Sequence, residues 1–308
     1  MKVGVIGTGY MGKNHLRVYS ELRGVDEIYL YDTDKNAAQE AAKQFNAHAT
    51  DMGELLRQAE AVSVCTPTET HYEIAKRMLE NGTHCLIEKP LAVTPEEARR
   101  IEALVKKSSA IVGVGHIERF NPAVHEVKRI LDKPFYMEME RHNPHFGRIE
   151  DTDVISDLMI HDIDNIWNYW FRGKKYRILG AGGIRKKLLE LVAVLVDFEG
   201  CVVKLSGSRL ASTKIRKVMV EQEEKTLMGD LMTQEVYVYK KTLAAKVENM
   251  RYSQESAIDK VMISKIEPLR LELKTFLDCA KNSKPFPISV QDAVRALEVA
   301  DEIRKRAE

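Results

Sequence analysis

The chain has 308 residues, 44% hydrophobic and 30% charged, enough for a sizeable core and about two domains at ~150 residues each. Its 47 basic residues against 46 acidic ones leave a formal charge of +1, which excludes the polyanion-binding signature of a nucleic-acid partner. No apolar run approaches the ~18 residues that cross a bilayer, and no basic-then-apolar leader precedes the first strand, so a cytoplasmic protein is expected. Cys65, Cys85, Cys201 and Cys279 are scattered without C-x-x-C spacing and read as free thiols in a reducing compartment.

The first element is an apolar run, Val3, Val5 and Ile6, that meets Gly7-Thr8-Gly9-Tyr10-Met11-Gly12 and then a helical segment. Strand, G-x-G-x-x-G turn and helix in that order form a dinucleotide fingerprint. Gly7 allows the tight turn, Gly9 lets the backbone approach a pyrophosphate, and Gly12 lets helix and strand pack closely. The N–H groups of this loop and of the helix N-terminus face the phosphates, so the whole stretch from Gly7 to Gly12 is expected at the cofactor. A second apolar run, Ile28 to Tyr31, ends in Asp32, twenty residues beyond Gly12. Its carboxylate would accept both ribose hydroxyls of the adenosine and repel a 2′-phosphate, which favours NAD over NADP.

Helices are expected at Lys35–Phe45 and Met52–Gln58, with a short extended piece, His48–Thr50, between them. Ala61–Cys65 reads as a buried parallel strand stopping at Thr66-Pro67, two residues expected to border the cofactor. His71–Asn81 is helical and stops at Gly82, and His84–Ile87 is a strand that runs into Glu88-Lys89-Pro90. Thr94-Pro95-Glu96-Glu97 reads as N-cap, first-turn proline and capping-box glutamate of a helix to Ser108. Ala110–Val114 completes a strand–helix alternation that predicts a doubly wound parallel sheet.

The pattern changes near Gly115. Helix is expected at Asn121–Leu131 and Ser156–Phe171, and an alternating strand at Phe135–His142. Strand-like runs follow at Leu191–Asp197, Cys201–Ser208, Arg216–Glu221, Lys225–Asp230 and Gln234–Tyr239, pointing to an antiparallel sheet in an α+β domain. The glycine-rich Leu179–Gly183 lacks the spacing of a second nucleotide loop and reads as a turn. Lys265–Lys281 and Val290–Ala307 are helical.

The residues that carry a family likeness are now in place. They are the glycine fingerprint, Cys65-Thr-Pro-Thr68 with His71, Glu88-Lys-Pro-Leu91, Gly115-His116 through Arg119-Phe-Asn-Pro122, Asp157-Leu-Met-Ile-His-Asp-Ile-Asp164, and Glu267-Pro-Leu269. Over its whole length the chain resembles the Gfo/Idh/MocA oxidoreductase family. The resemblance implies an N-terminal Rossmann domain at 1–117, binding a nicotinamide cofactor, with the closing helix 290–308 packing back on it. It implies a domain with an open, mainly antiparallel sheet at 118–289, holding a sugar or polyol and mediating a homodimer or homotetramer. The family's catalytic Lys, Asp and His correspond to Lys89, Asp157 and His161. Within the family, the motifs around Gly115 and Asp157 are most similar to the subgroup that oxidises the 3-hydroxyl of UDP-N-acetylglucosamine to a ketone, which a partner aminotransferase can use. A free sugar or inositol dehydrogenase or reductase, and a non-catalytic NAD(H)-binding sensor, remain as alternatives.

The chemistry asks for a cofactor that takes a hydride and a protein that manages a proton. His161 suits general base work. Asp157, four residues earlier on the same predicted helix, shares its face and would orient the imidazole or stabilise its charged form. Lys89, at the carboxyl end of a parallel strand, would stabilise the developing alkoxide. Which of His161 and Lys89 takes the proton stays open, with His161 favoured. Glu88 and His71 are further cofactor candidates, although His71 also reads as an ordinary first-turn residue. Arg119, Arg141 and Arg148 are candidates to meet a diphosphate, since a guanidinium fork matches phosphate geometry, with exposed or ion-paired arginines as the alternative. Asp162 and Asp164 stand between substrate binding and helix-face solvation. Trp167 and Trp170 read as packing residues. His142 and His145 with His161 lack the carboxylate or thiolate partners of a zinc site, so no metal is expected.

Overall fold

The computed structural model describes residues 1–144, 152–241, 244–248, 251–255 and 257–308, with the backbone alone at 244–248 and 251–255. The chain divides into two units, Met1–Phe120 with Glu267–Glu298, and Asn121–Ile266 with Val299–Glu308.

In the first unit β1 (Lys2–Ile6), β2 (Glu27–Tyr31), β3 (His48–Ala49), β4 (Ala61–Val64), β5 (His84–Glu88) and β6 (Val112–Gly115) form a wholly parallel sheet in the order β3-β2-β1-β4-β5-β6. The connecting helices are α1 (Tyr10–Glu21), α2 (Lys35–Phe45), α3 (Met52–Gln58), α4 (His71–Glu80) and α5 (Pro95–Val105). Central strand residues such as Val5, Ile6, Val62, Val64, Leu86 and Ile87 are buried, as expected of strands covered on both faces. Local signals fix the helix ends. Asp34 accepts from the N–H groups of Asn36 and Ala37 at the start of α2, and Asn46, left-handed at φ 51°, ends it. Thr94 caps α5 ahead of Pro95, while the Glu97 carboxylate reaches back past the cap residue to the N–H of Val93. The sheet order reverses between β1 and β4, the switch point outside whose strand ends dinucleotides bind.

The second unit contains α6 (Pro122–Ile130), β7 (Tyr136–Pro144) and a helical run from Ile155 to Trp170. That run is not the uniform α-helix expected. Two π-helical stretches, Ile155–Met159 and Asn165–Trp170, flank one turn of α-helix, α7 (Ile160–Asp164). The strands that follow are β8 (Arg177–Arg185), β9 (Leu189–Phe198), β10 (Cys201–Ser208), β11 (Leu210–Glu221), β12 (Lys225–Asp230) and β13 (Glu235–Lys240). A separate hairpin, β14 (Ala244–Glu248) with β15 (Arg251–Glu255), precedes β16 (Ile258–Lys260). The large sheet runs β16-β13-β12-β11-β7-β10-β9-β8, antiparallel at every pairing except the central β7–β10 pair.

Leu179–Gly183 corrects the turn reading, because it lies inside β8. The glycines are tolerated there because β8 is an edge strand, paired among the described residues only with β9, with register shifts at both of its ends. One face of the sheet, carrying Met137, Met139, Val194, Val196, Val203, Leu205 and Val218, is buried against α6 and the helical run. Trp167 packs edge-on to Phe198 at 5.0 Å between ring centroids, and the Trp170 indole donates to the carbonyl of Val124, so both tryptophans are core residues.

Two helices complete the chain, α8 (Pro268–Lys281) and α9 (Val290–Ala307). The boundaries differ from a simple split at residue 117. Residues 267–289 lie in the first unit, because α8 buries Leu269, Leu273 and Phe276 there. Arg17–Glu267 and Arg270–Glu21 ion pairs tie it to α1. Of α9, the part through Glu298 belongs with the first unit and the part from Val299 with the second.

Candidate active site

The first unit builds a cradle at the carboxyl ends of its strands. Gly7 has φ +91°, and a Cβ on it would meet the Cys65 carbonyl at 2.7 Å. A Cβ on Gly12 would sit 1.8 Å from the Gly7 carbonyl oxygen, so α1 can leave the turn only with glycine there. At Gly9 a Cβ would meet nothing within 4 Å, and no side chain caps α1, so the backbone here stands open to a phosphate. These residues fit a dinucleotide's pyrophosphate. Thr8 is buried and Tyr10 is exposed beside it.

Asp32, just after β2, is half-buried and holds the loop. Its Oδ2 accepts from the N–H of Thr8 at 2.6 Å and from the Thr8 hydroxyl at 2.8 Å, and Oδ1 accepts from the N–H of Asp34 at 2.9 Å. Burial pushes its pKa up, but these donors outweigh burial and hold it below the usual carboxylate range.

After β4, Thr66 is half-buried and Pro67 exposed. His71 is turned inward. Nδ1 faces the carbonyls of Pro90 and Leu91 at 3.1 and 3.2 Å, and Nε2 faces the carbonyl of Thr66 at 3.0 Å. His71 is thus a bracket between the two loops that end β4 and β5, and burial lowers its pKa. Glu88 closes β5. Its Oε1 accepts from Nε2 of His15 on α1 at 2.9 Å, and its Oε2 from the N–H of Lys89 at 3.2 Å. Burial raises the Glu88 pKa, but the His15 bond and the Lys89 charge bring it below its ordinary value. Lys89 itself is half-buried, next to a cis bond to Pro90.

In the second unit, Asp157 sits in the first π-helical stretch and His161 in α7, which is fixed by the run of buried apolar residues Ile155, Leu158, Met159, Ile160 and Ile163 around them. The Arg209 guanidinium lies 3.9 Å from Asp157 Oδ2 and 3.0 Å from Glu190 Oε2. A lone arginine after β10 carries no motif, so Arg209 was not legible as a neighbour of Asp157. Arg141 takes the ion-paired alternative, and Asp162, open between substrate binding and solvation, is its buried partner. They are about 1% exposed and form a two-pronged ion pair at 2.9 and 2.6 Å. Asp164 is buried and accepts from the Asn168 amide at 2.9 Å. Arg119, in the first unit, is also turned inward, with its guanidinium 3.4 Å from Asp292. Arg148 and His145 lie outside the described residues. His142 meets the Ser206 hydroxyl, and no trio of metal-binding side chains occurs among the described residues.

Residues 1–116 match the model of an oxidoreductase family with an NAD-binding Rossmann fold. That family is Gfo/Idh/MocA, and the likeness to its members runs beyond the matched residues over the whole chain. It is 29% identical to UDP-N-acetylglucosamine 3-dehydrogenase of Acidithiobacillus ferrooxidans, over 100% of this chain and 97% of that one. The solved structure of that protein superposes with a TM-score of 0.89 at 27% identity, covering 100% and 97% of the two chains. A scyllo-inositol 2-dehydrogenase (NAD(+)) of Bacillus subtilis is 26% identical over 97% of this chain and 92% of its own. Levoglucosan dehydrogenase, solved with NADH and levoglucosan, shares the fold at a TM-score of 0.83 and 19% identity, over 100% and 97% of the chains. The chain is an NAD-binding oxidoreductase. No helix among the described residues is long and apolar enough to cross a membrane.

Proposed function

We propose that this oxidoreductase oxidises the ring 3-hydroxyl of a UDP-linked N-acetyl amino sugar, UDP-N-acetylglucosamine or a near relative, to a ketone. The observation that carries this reading is the end-to-end likeness to a UDP-N-acetylglucosamine 3-dehydrogenase in both sequence and fold. Intact Lys89, Asp157 and His161 support a working enzyme over an NAD(H) sensor.

Bound NAD⁺ supplies a hydride acceptor for the carbinol carbon. The glycine loop and the N-terminus of α1 hold its pyrophosphate, and Asp32 its adenosine ribose. His161 takes the hydroxyl proton, a role worth typically 10²–10⁴-fold. Asp157 orients the imidazole and stabilises its cationic form. The Lys89 ammonium stabilises the alkoxide as it develops. With Arg119 and Arg141 engaged in buried pairs, Arg148 is the remaining member of that set for the diphosphate. The ketone would feed an aminotransferase, and the protein would act in the cytoplasm as a homodimer or homotetramer.

The inositol dehydrogenase among the relatives keeps a second reading in view, oxidation of a free polyol. Incubation with NAD⁺ and, separately, UDP-N-acetylglucosamine, its uronic acid, glucose and myo-inositol separates the two. With NADH reoxidised continuously, mass spectrometry is expected to show loss of two hydrogens only from a UDP-sugar. Product from glucose or inositol alone would overturn the proposal.

A further inference from the structure

Two buried histidines flank Lys89 in the first unit, and the proposed mechanism uses neither. His71 faces the carbonyls of Pro90 and Leu91, which follow the lysine. His15 reaches the residue before it. It lies on α1 at 0% exposure, and its Nε2 meets Oε1 of Glu88 at 2.9 Å. Glu88, with a pKa held below its ordinary value, is an ionised acceptor at neutral pH, so Nε2 of His15 carries the proton and donates it. The other ring nitrogen, Nδ1, is buried without a hydrogen-bond partner among the described residues, so the bond to Glu88 is what a histidine supplies at this place. The ring is held in turn by Tyr19, edge-on at 6.4 Å between centroids and bonded through its own hydroxyl to Ser63 at 2.7 Å.

The rest of the Glu88 carboxyl is committed as well. Oε2 accepts the N–H of Lys89 at 3.2 Å. Glu88 is the last residue of β5 and lies opposite Gly115 of β6. A Cβ on Gly115 would stand 3.1 Å from the carboxyl carbon and from both oxygens, so glycine there gives the group its seat. A carboxyl 6% exposed is costly to bury, and the His15 and Lys89 donors offset that cost. The carboxyl thus turns the position of α1 into a position for the backbone that carries Lys89. Since α1 starts directly after Gly9, one helix offers its N-terminus to the pyrophosphate and, through His15 and Glu88, holds the base of the lysine.

We propose that His15 is a positioning residue for Lys89, its bond to the Glu88 carboxylate setting where the lysine that stabilises the alkoxide stands. The inference rests on that role of Lys89 and not on the identity of the sugar. A bond that merely tied α1 to the sheet would cost stability when cut and leave Lys89 in place. A positioning bond, when cut, displaces Lys89, and a different side chain that donates to the same oxygen restores it.

The test reads Lys89 directly in the full chain. Reductive methylation with carbon-13 formaldehyde labels the lysines and keeps their charge, and the Lys89 signal is the one absent from Lys89→Arg. Its chemical shift is compared among the wild type, His15→Gln, whose amide N–H still reaches toward Glu88, and His15→Leu, which has no donor. The signal should move in His15→Leu and return toward its wild-type place in His15→Gln. An unmoved signal in His15→Leu, or an equal displacement in both variants, would overturn the proposal. Should His15→Leu fail to fold, His15→Met fills the space with a flexible apolar chain and is read the same way. Turnover of whichever sugar the wild type oxidises gives a second reading. His15→Leu should lower kcat by about 10- to 100-fold, the cost of a catalytic group displaced by up to ~1 Å, and leave NAD⁺ affinity within about twofold. An unchanged kcat would likewise refute the positioning role. If the wild type oxidises no sugar, the dehydrogenase reading fails, and the Lys89 signal still decides this inference.

Discussion

Asp32→Ala tests cofactor recognition with a magnitude that the geometry sets. The carboxylate accepts from the Thr8 N–H at 2.6 Å, the Thr8 hydroxyl at 2.8 Å and the Asp34 N–H at 2.9 Å. Thr8 is 4% exposed, so its amide loses a partner that water does not easily replace, at a cost of about 1–3 kcal/mol. Losing the charged acceptor of the ribose hydroxyls should weaken NAD⁺ by about 2–3 kcal/mol, roughly 30- to 150-fold. NADP⁺ should lose far less, because removing the carboxylate also removes its repulsion of the 2′-phosphate. The preference for NAD⁺ over NADP⁺ should therefore fall at least about tenfold. Fluorescence titration with NADH and NADPH measures both affinities. If both fell by the same factor, Asp32 would be a loop-shaping residue and the ribose assignment would be wrong.

His161→Ala should lower turnover by about 10²–10⁴-fold and leave the NAD⁺ affinity within about twofold, read by steady-state kinetics beside a binding titration. Unchanged turnover would remove His161 from the mechanism. Asp162→Asn should destabilise the second unit by about 3–5 kcal/mol in chemical denaturation, since it leaves Arg141 charged and buried. Converting both residues to apolar ones should recover most of that loss. Arg304 lies 2.6 Å from Asp153. Burial raises the Asp153 pKa, yet the Arg304 bond and charge bring it below 3.8. A depressed carboxylate contributes stability above the unfolded pKa and loses it as pH falls through the folded one. Arg304→Gln should therefore cost stability at neutral pH and little in acid below that range; an equal cost at both would contradict the assignment.

Much of the first unit was legible because its signals are local. The Asp34 cap, Thr94-Pro95, Gly82 and the glycine fingerprint each fix an element end from a few adjacent residues. Gly12 even declares its neighbour, since only glycine clears the Gly7 carbonyl. What was not legible depends on partners distant in sequence. Arg141 and Asp162 look like exposed charges on a strand and a helix until the fold buries them against each other. His71 reads as a cofactor candidate or an ordinary first-turn residue, and its role as a bracket depends on carbonyls at Pro90 and Leu91. The π-helical stretches around α7 leave no mark in an apolar pattern that fits a regular helix. Leu179–Gly183 was misread because glycines usually end strands, whereas here pairing with β9 carries them along an edge.

The most direct test of the central claim follows the hydrogen itself. The protein would be incubated with NAD⁺ and UDP-N-acetylglucosamine carrying deuterium at C3, and both products analysed by mass spectrometry. The account predicts deuterium on the reduced nicotinamide and a UDP-linked ketone lighter by one hydrogen and one deuterium. Reduced cofactor without the label, or a deuterated sugar recovered intact while NAD⁺ binds, would contradict oxidation at that carbon.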